Sequence, residues 1–306
     1  MSNTREQLES SCDVACQNQG AIAVTINPKI RDLGGFQVRR LLPTTALRSV
    51  GPWVFFDHMG PASFSPGPGL NVRPHPHIGI ATVTYLFEGE ILHRDSIGSL
   101  QAIRPGDINL MITGSGMVHS ERERDERQQQ QRSLHGLQLW LALPLEHEEH
   151  PPEFLHYPAA DIPTATPEQV LVRVMIGSAY GVTSPVKTLS ETLYVEAQLT
   201  AGQQLTLPSA PELAVYVADG ALELDGQALA TYSMTAIAKN AGDNVRIRAT
   251  SASRIAIIGG ASLGKRYMEW NFVSSSQARI EKAKQAWREQ TFTPVVGDED
   301  EYIPYP

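Results

Sequence analysis

Short apolar runs separated by Gly, Pro and Asp recur along most of the chain and predict β-strands. In the first half, runs of strand composition lie at 37–43, 81–87, 90–95, 100–112 and 134–144. Glu88-Gly89 and the Arg-Pro-Gly-Asp segment at 104–107 are turn signals between them. In the second half, such runs lie at 170–177, 192–201, 213–226, 234–239, 244–250 and 254–260. This spacing of short strands is typical of an all-β sandwich or barrel.

The two halves of the chain resemble each other. VTYLFEGEI at 83–91 is similar to AVYVADGAL at 214–222, and IRPGDIN at 103–109 is similar to KNAGDNV at 239–245. The pattern predicts an internal duplication of one β-domain, with coincidence among β-turns as the alternative. Residues 144–169, which are polar and rich in proline, predict a linker between the two copies.

A different pattern follows near the C-terminus, at 274–289. Ser274 and Gln277 have the spacing of a helix-capping box. Three apolar positions then recur on one helical face: Ile280, Ala283 and Trp287. The sequence predicts one amphipathic helix here, with a tail that packs back on the body of the protein.

Composition narrows the class of protein. The chain has 306 residues, 42% of them hydrophobic, which suffices for two domains of ordinary size. A net charge of −8 argues against direct nucleic-acid or anionic-membrane partners. No apolar run reaches the ~20 residues of a membrane span, and the polar N-terminus lacks a signal-peptide core, so we expect a cytoplasmic protein. Cys12 and Cys16, the only cysteines, are expected to be free thiols.

The segment RPHPHIGIATVTYLFEGEI, residues 73–91, carries two histidines within a predicted strand. His75 and His77 are two residues apart and therefore point the same way, roughly 6.6 Å apart along the strand. A metal ion can bridge that separation, although an isolated pair of this kind also arises by chance. Pro74 and Pro76 donate no backbone N–H, which places this segment at a strand start or a sheet edge.

A second pair of ligand-type residues lies in GSGMVHSERE, residues 114–123. His119 and Glu121 are again two apart and share a face. Two such strands facing one barrel interior predict a cage of three imidazoles and one carboxylate, a donor set that suits first-row metals. Four protein ligands leave one or two positions open, as in catalytic sites. All nine histidines precede residue 157, so only the first half carries this chemistry.

Several polar residues near these motifs have alternative roles. Asp57 and His58 follow an apolar run and are candidates either to orient an imidazole or to serve a structural role. Gln138 alternates with apolar neighbours and is a candidate to line the barrel interior. His93 and His135 lie in predicted strands, where we expect structural roles.

The longer motifs resemble one known family. PHPHIGIATVTYLFEGEILHRDSIGS, IRPGDINLMITGSGMVHSE and LHGLQLWLALP, with FFDHMGP upstream, closely resemble pirins, members of the cupin superfamily, and the match extends over nearly all of the chain. The resemblance implies an all-β fold of two tandem cupin-type β-barrels (double-stranded β-helices) with a short C-terminal helix. The expected domains are 21–150, which carries the metal site, 165–265, which lacks metal ligands, and 266–306, the helix and tail.

The resemblance also implies a cofactor. Pirins hold one iron in the N-terminal barrel through three histidines and one glutamate, which at matching positions are His75, His77, His119 and Glu121. Fe(II) is the expected ion, with Zn, Mn, Ni, Co or Cu as alternatives, and the expected protein is a monomer. This chain departs from many pirins at Ile78, where they have Arg, and at Ala81, where other cupins have a ligand Glu. Because the pirin carboxylate comes from the HSE segment, we expect the cage to persist.

Two function classes follow from the resemblance. The first is an enzyme similar to quercetin 2,3-dioxygenase, acting on a flavonol or related small aromatic phenol, with Glu121 as the catalytic base. The second is a non-enzymatic, redox-sensing regulatory protein that binds a protein partner through its iron state, as eukaryotic pirins do. A third alternative is a cupin in which the metal only stabilises the barrel.

Overall fold

A computed structural model describes residues 20–32, 36–242 and 244–306, so Cys12 and Cys16 lie outside the described residues. The strands of the first half are β1 (Ile22–Ile26), β2 (Lys29–Asp32), β3 (Gln37–Leu42), β4 (Trp53–Phe64), β5 (Asn71–His77), β6 (Ile80–Glu88), β7 (Ile91–Asp95), β8 (Leu100–Ile103), β9 (Ile108–Ile112), β10 (Met117–Arg122), β11 (Arg132–Ala142) and β12 (Glu153–Tyr157). The strands of the second half are β13 (Thr164–Ala165), β14 (Leu171–Ile176), β15 (Ser178–Ala179), β16 (Val182–Thr183), β17 (Thr192–Leu199), β18 (Gln204–Thr206), β19 (Glu212–Asp219), β20 (Leu222–Leu224), β21 (Gln227–Leu229), β22 (Met234–Ile237), β23 (Arg246–Ala249), β24 (Ser253–Gly260), β25 (Tyr267–Glu269) and β26 (Phe272–Ser274). The α-helices are α1 (Asp125–Gln128) and α2 (Gln277–Arg288).

Each half forms a barrel from one larger and one smaller antiparallel sheet. The seven-stranded sheets have the orders β12-β9-β6-β11-β4-β3-β2 and β1-β22-β19-β24-β17-β14-β13. The four-stranded sheets have the orders β5-β10-β7-β8 and β18-β23-β20-β21. The two halves correspond strand for strand, which confirms the predicted tandem β-barrels and supports an internal duplication.

One of the two sequence similarities reflects this duplication. Residues 83–91 and 214–222 span the equivalent hairpins β6–β7 and β19–β20. Gly89 and Gly220 occupy the turns with φ of 94° and 80°. At each, a Cβ atom would lie 2.4 or 2.2 Å from a backbone carbonyl oxygen, so both positions require glycine.

The other similarity is coincidental. Residues 103–109 join β8 to β9, whereas residues 239–245 join β22 to β23, which is a different connection in the duplicated order. The predicted linker at 144–169 is also more structured than its composition suggests. It contains β12, which pairs with β9 and extends the first sheet.

The first strand of the chain joins the large sheet of the second half. β1 pairs with β22 of the second half, with Val24 opposite Ala236, while β12 occupies the equivalent edge of the first sheet. The division at 21–150, 165–265 and 266–306 stays a prediction. The sheets extend the first barrel to Tyr157 and give residues 22–26 to the second.

The two large sheets pack face to face and bury a shared apolar core between the halves. In the first half, alternate residues of each strand contribute to it, such as Val83, Leu110 and Leu139, and in the second half Tyr194 and Ile258 do so. The opposite faces look into the barrels. Apolar side chains fill the second barrel, among them Val195, Leu205, Val215, Leu222 and Ile247. The first barrel has polar side chains in the equivalent space.

Helix α2 covers the outside of the first half. Its predicted apolar face is confirmed, since Ile280, Ala283 and Trp287 are buried. The predicted capping box is wrong: Ser276 is the N-cap residue, and the Ser274 hydroxyl donates to the Glu148 carboxylate at 2.9 Å. No helix in the described part of the chain is long and apolar enough to span a membrane.

Candidate metal centre

Strands β5 and β10 lie side by side and carry the candidate ligands. In their antiparallel register His119 is opposite His75, and Met117 is opposite His77. Because side chains alternate along a strand, the predicted spacing of two directs all three imidazoles to the barrel interior. β5 is the edge strand of its sheet, as its prolines predicted.

The three histidines form a compact cluster. Their ligand nitrogen atoms all lie within 4.8 Å of one another. His75, His77 and His119 are only 7%, 1% and 2% exposed. Metal–imidazole bonds are about 2.0–2.1 Å long, so one ion can contact all three rings with small side-chain adjustments.

The unsatisfied nitrogen atoms of this cluster indicate what it binds. His77 Nδ1 and His119 Nε2 are buried and have no hydrogen-bond partner among the described residues. His75 uses its Nδ1 on the Arg73 carbonyl at 2.9 Å, which leaves Nε2 as its other nitrogen. Buried polar atoms without partners are costly, and a metal ion at the centre of the cluster would satisfy them.

Burial also sets the protonation of the cluster. It lowers the pKa of His75 to about 4 and holds the pKa values of His77 and His119 well below their usual value. The three imidazoles are therefore neutral at physiological pH, which is the form that binds metal.

Glu121 lies beside the cluster, buried at 6% exposure. Gln138 Nε2 donates to its Oε1 at 2.6 Å. Gln138 therefore lines the barrel interior, the position for which it was a candidate, and contacts Glu121 there. Burial raises the pKa of Glu121 to about 7, although this hydrogen bond lowers it. The pairing with β5 shifts register between His119 and Glu121, and the compact cluster comprises the histidines alone. Metal ligation by Glu121 stays a prediction.

A polar row crosses the sheet that faces the cluster. Directly opposed residues on neighbouring strands share a face, and the row comprises Arg40, Asp57, Gln138, Thr84, Asn109 and His156. Asp57 pairs with Arg40 through two contacts of 2.9 and 2.8 Å, and its pKa is raised by burial against the lowering effect of Arg40. Asn109 Nδ2 is buried without a partner among the described residues.

An aromatic pair lies next to this row. Trp140 stacks on Phe55 with ring centroids 3.9 Å apart, and the rings of His77 and Trp140 are nearly perpendicular with centroids 5.0 Å apart. His58 points away from the cluster into the interface between the barrels. Its Nδ1 is 2.5 Å from the Tyr216 hydroxyl, and its Nε2 is 2.7 Å from His135 Nε2.

Two further residues near the cluster were not assigned a site role from the sequence. His93 Nδ1 lies 3.5 Å from His119 Nδ1, and His93 Nε2 lies 3.0 Å from Asp95 Oδ2. The motif His-Arg-Asp at 93–95 has the same spacing of two as the ligand pairs, and this pattern could have indicated a shared face.

The two departures from the usual pirin motif lie away from the cluster centre. Ala81 is buried in the core between the two large sheets. Ile78 packs with Phe272 and Ile280 beneath helix α2. An apolar residue at each position suits these surroundings, and neither substitution removes a group from the cage.

The fold and the cluster define a class: a two-barrel cupin with a candidate mononuclear metal centre in the first barrel. The family model for Pirin matches residues 35–141, and that for the Pirin C-terminal cupin domain matches residues 194–293. The chain belongs to the pirin family.

Two relatives in sequence and one solved structure are similar to this chain over most of its length. A pirin-like protein of Caulobacter vibrioides is 44% identical over 93% of this chain and 99% of its own. A Pseudomonas aeruginosa protein provisionally named quercetin 2,3-dioxygenase is 36% identical over 94% of this chain and 91% of its own. The crystal structure of a quercetin 2,3-dioxygenase from Acinetobacter baumannii matches with a TM-score of 0.86 and 30% identity, covering 94% of this chain and 96% of that one.

Proposed function

We propose that this pirin is a mononuclear iron protein with quercetin 2,3-dioxygenase-like activity on a flavonol or related phenol. The ion is assigned to four residues: His75, His77, His119 and Glu121. The observation that carries the proposal is the pair of buried imidazole nitrogens in the histidine cluster that have no hydrogen-bond partner within the described part of the chain. A neutral three-imidazole set with a nearby carboxylate suits Fe(II), and four protein ligands leave coordination positions open for exogenous ligands.

The surrounding side chains suit a flat, oxygen-rich ligand. The Trp140–Phe55 pair provides an aromatic surface beside His77. Asn109 Nδ2 offers a buried donor without a partner among the described residues. The names of the Pseudomonas and Acinetobacter relatives support the same substrate class.

The chain's own residues have distinct tasks in this proposal. A bound ion supplies Lewis acidity and redox chemistry toward the phenol and O₂. Gln138 holds Oε1 of Glu121 at 2.6 Å and so orients the carboxylate. Glu121 accepts the proton of the substrate hydroxyl, a step for which a positioned base contributes about 10²–10⁴-fold.

The test is oxygen consumption by anaerobically Fe(II)-loaded protein after addition of quercetin. We expect uptake that a chelator abolishes and that Glu121→Ala lowers at least about 100-fold. Asp107→Asn is the matched control, because Asp107 accepts from Ala159 N–H outside the cage and should leave uptake unchanged. Uptake no higher than in the chelated sample, with iron bound at one per chain, would refute the enzymatic proposal.

One contact favours the regulatory alternative. Arg122 follows Glu121 directly and binds the C-terminal tail, with Nη2 2.7 Å from Asp298 and 2.9 Å from Glu301. A change of iron state could therefore reach a surface that a protein partner contacts. Hydrogen exchange of residues 292–305 in the Fe(II) and Fe(III) forms tests this, and identical exchange would count against redox sensing. A cytoplasmic location and a monomeric state stay predictions from the sequence.

A further inference from the structure

Two buried side chains of strand β7, Asp95 and His93, connect this strand to His119 of the histidine cluster. Asp95 and His93 are 0% and 3% exposed. Strand register places Asp95 opposite His119, and His93 opposite Glu121, so all four side chains share the inner face. Phe154 stacks on the His93 ring with centroids 4.2 Å apart and an interplanar angle of 19°, which fixes the ring in place.

The hydrogen bonds of Asp95 determine which nitrogen of His93 carries a proton. Its Oδ1 accepts from the backbone N–H groups of Ile97 at 3.1 Å and Ser99 at 2.9 Å. An ionised carboxylate only accepts hydrogen bonds, so Oδ2 takes the N–H of His93 Nε2 at 3.0 Å.

The position of the proton on His93 then determines which nitrogen of His119 is protonated. In the neutral form of the His93 ring, with its one proton on Nε2 facing Asp95, Nδ1 is an acceptor. The group facing it at 3.5 Å is His119 Nδ1, which is therefore the protonated nitrogen in this long N–H···N contact. The lone pair of His119 is then on Nε2, the buried atom without a partner among the described residues.

We propose that Asp95 and His93 are positioning residues that hold His119 as its Nδ1–H tautomer and so direct Nε2 to the metal ion. The inference rests on the proposed metal centre but concerns residues outside the ligand set. Carboxylate–histidine contacts behind a ligand orient it and raise its basicity, and their loss typically weakens metal binding about 10–100-fold.

The two hydrogen bonds from His119 to His93 and from His93 to Asp95 form a relay. The variant Asp95→Asn reverses the donor and acceptor in each of them. The Ile97 and Ser99 N–H groups keep the amide oxygen at the Oδ1 position, so the amide NH₂ faces His93 Nε2 and donates to it. His93 then carries its proton on Nδ1, and His119 is driven to the Nε2–H tautomer, which blocks the metal-binding nitrogen. We expect Co(II) binding, measured by competition with a chromophoric chelator, to weaken about 10–100-fold.

Two readouts separate this proposal from a general loss of structure. Long-range ¹H–¹⁵N NMR of the metal-free protein should report His119 as Nδ1–H in the wild type and as Nε2–H in Asp95→Asn. His93→Phe keeps the ring on Phe154 but removes both nitrogens, and should weaken Co(II) binding similarly. Asp107→Asn, the same chemical change elsewhere in the barrel, should retain wild-type affinity and tautomer.

The outcomes are distinguishable. Failure of the wild type to bind Co(II) would overturn the proposed metal centre, while the wild-type tautomer would still test the relay. If the wild type binds and both Asp95→Asn and His93→Phe bind within twofold of it, the positioning role is overturned. An Nε2–H tautomer or a doubly protonated His93 in the wild type overturns it as well, even if the variants fail to fold.

Discussion

One cross-strand pair shows how single residues distinguish the two barrels. In β5 and β10 the pair is His75 and His119, whereas in the equivalent strands β18 and β23 it is Leu205 and Ile247, both fully buried. Buried apolar side chains pack without further partners, but buried imidazoles require a proton donor, an acceptor or a metal. The first barrel therefore has a site where the second has a core.

A residue-scale prediction concerns the hairpin glycines. Gly220→Ala should lower the free energy of unfolding by about 3 kcal/mol or more, because the new Cβ meets a carbonyl oxygen at 2.2 Å and φ is 80°. Gly226→Ala is the control: its φ is 74°, but nothing lies within 4 Å of the new Cβ, so it should cost only about 1–2 kcal/mol. Equal losses in denaturant titrations would show that the close approach is unimportant.

Site features with a local cause are predictable from the sequence. The spacing of His75 and His77, and of His119 and Glu121, follows from the alternation of a strand, so their shared faces could be predicted. The contacts of Gln138 with Glu121 and of His93 with His119 could not, because they depend on which strands become neighbours and in which register. That information resides in long-range pairing rather than in any one segment.

Among the elements, β10 has two functional faces. His119 and Glu121 point inward, while Val118 packs beneath α2 and Ser120 donates to Asp298 of the tail at 2.7 Å. The strand that carries two candidate ligands is therefore held from behind by the C-terminal segment. Trp287 connects the helix to that segment, since its Nε1 donates to the Ile303 carbonyl at 3.0 Å.

Truncation of this contact gives an element-scale prediction. Trp287→Ala should reduce the free energy of unfolding by about 3–5 kcal/mol and increase hydrogen exchange in β10 and the tail, because a large buried side chain and its hydrogen bond are lost. Lys282→Ala, an exposed change in the same helix, should have little effect. Unchanged exchange in β10 after Trp287→Ala would contradict the supporting role of the helix.

Periodicity in the sequence predicted most strands and the apolar face of α2, since both follow from local alternation of polar and apolar residues. The partners of the edge strands were not predictable in this way. Nothing local in Ile22–Ile26 distinguishes an edge of the first sheet from an edge of the second, and the prolines around β12 favoured a linker.

For the whole molecule, the interface between the barrels combines an apolar core with a histidine pair, His58 and His135. His58 is fully buried there between Tyr216 and His135. Burial lowers the pKa of His58 to about 3, with the charge of His135 as the next cause. The neutral form of this residue is therefore part of how the two barrels fit together.

The lowered pKa of His58 predicts how the free energy of unfolding depends on pH. Below about pH 6.5 the unfolded chain protonates His58 while the folded chain does not until about pH 3, so stability present above pH 6.5 is lost as the pH falls through that window. The slope from one such group is at most about 1.4 kcal/mol per pH unit. His58→Gln should flatten the dependence in metal-loaded protein, measured by urea titrations between pH 7 and 5.

The matched control for this prediction is His150→Gln, a histidine outside the interface whose ring Nδ1 lies 2.6 Å from the neighbouring Pro151 carbonyl oxygen. It should leave the slope at its wild-type value. A His58→Gln protein with an unchanged slope would assign the acid sensitivity to other groups.

The pairing of β1 with the sheet of the second half has a consequence for how such a chain can evolve. A gene fragment cut in the connection after Tyr157 would encode a second barrel whose β22 edge lacks its neighbour, an exposed template for aggregation. Its missing strand would be left at the start of the other fragment. The repeat can therefore diverge in sequence, one copy retaining histidines and the other filling with leucine and isoleucine, but it cannot readily be shuffled as two independent modules.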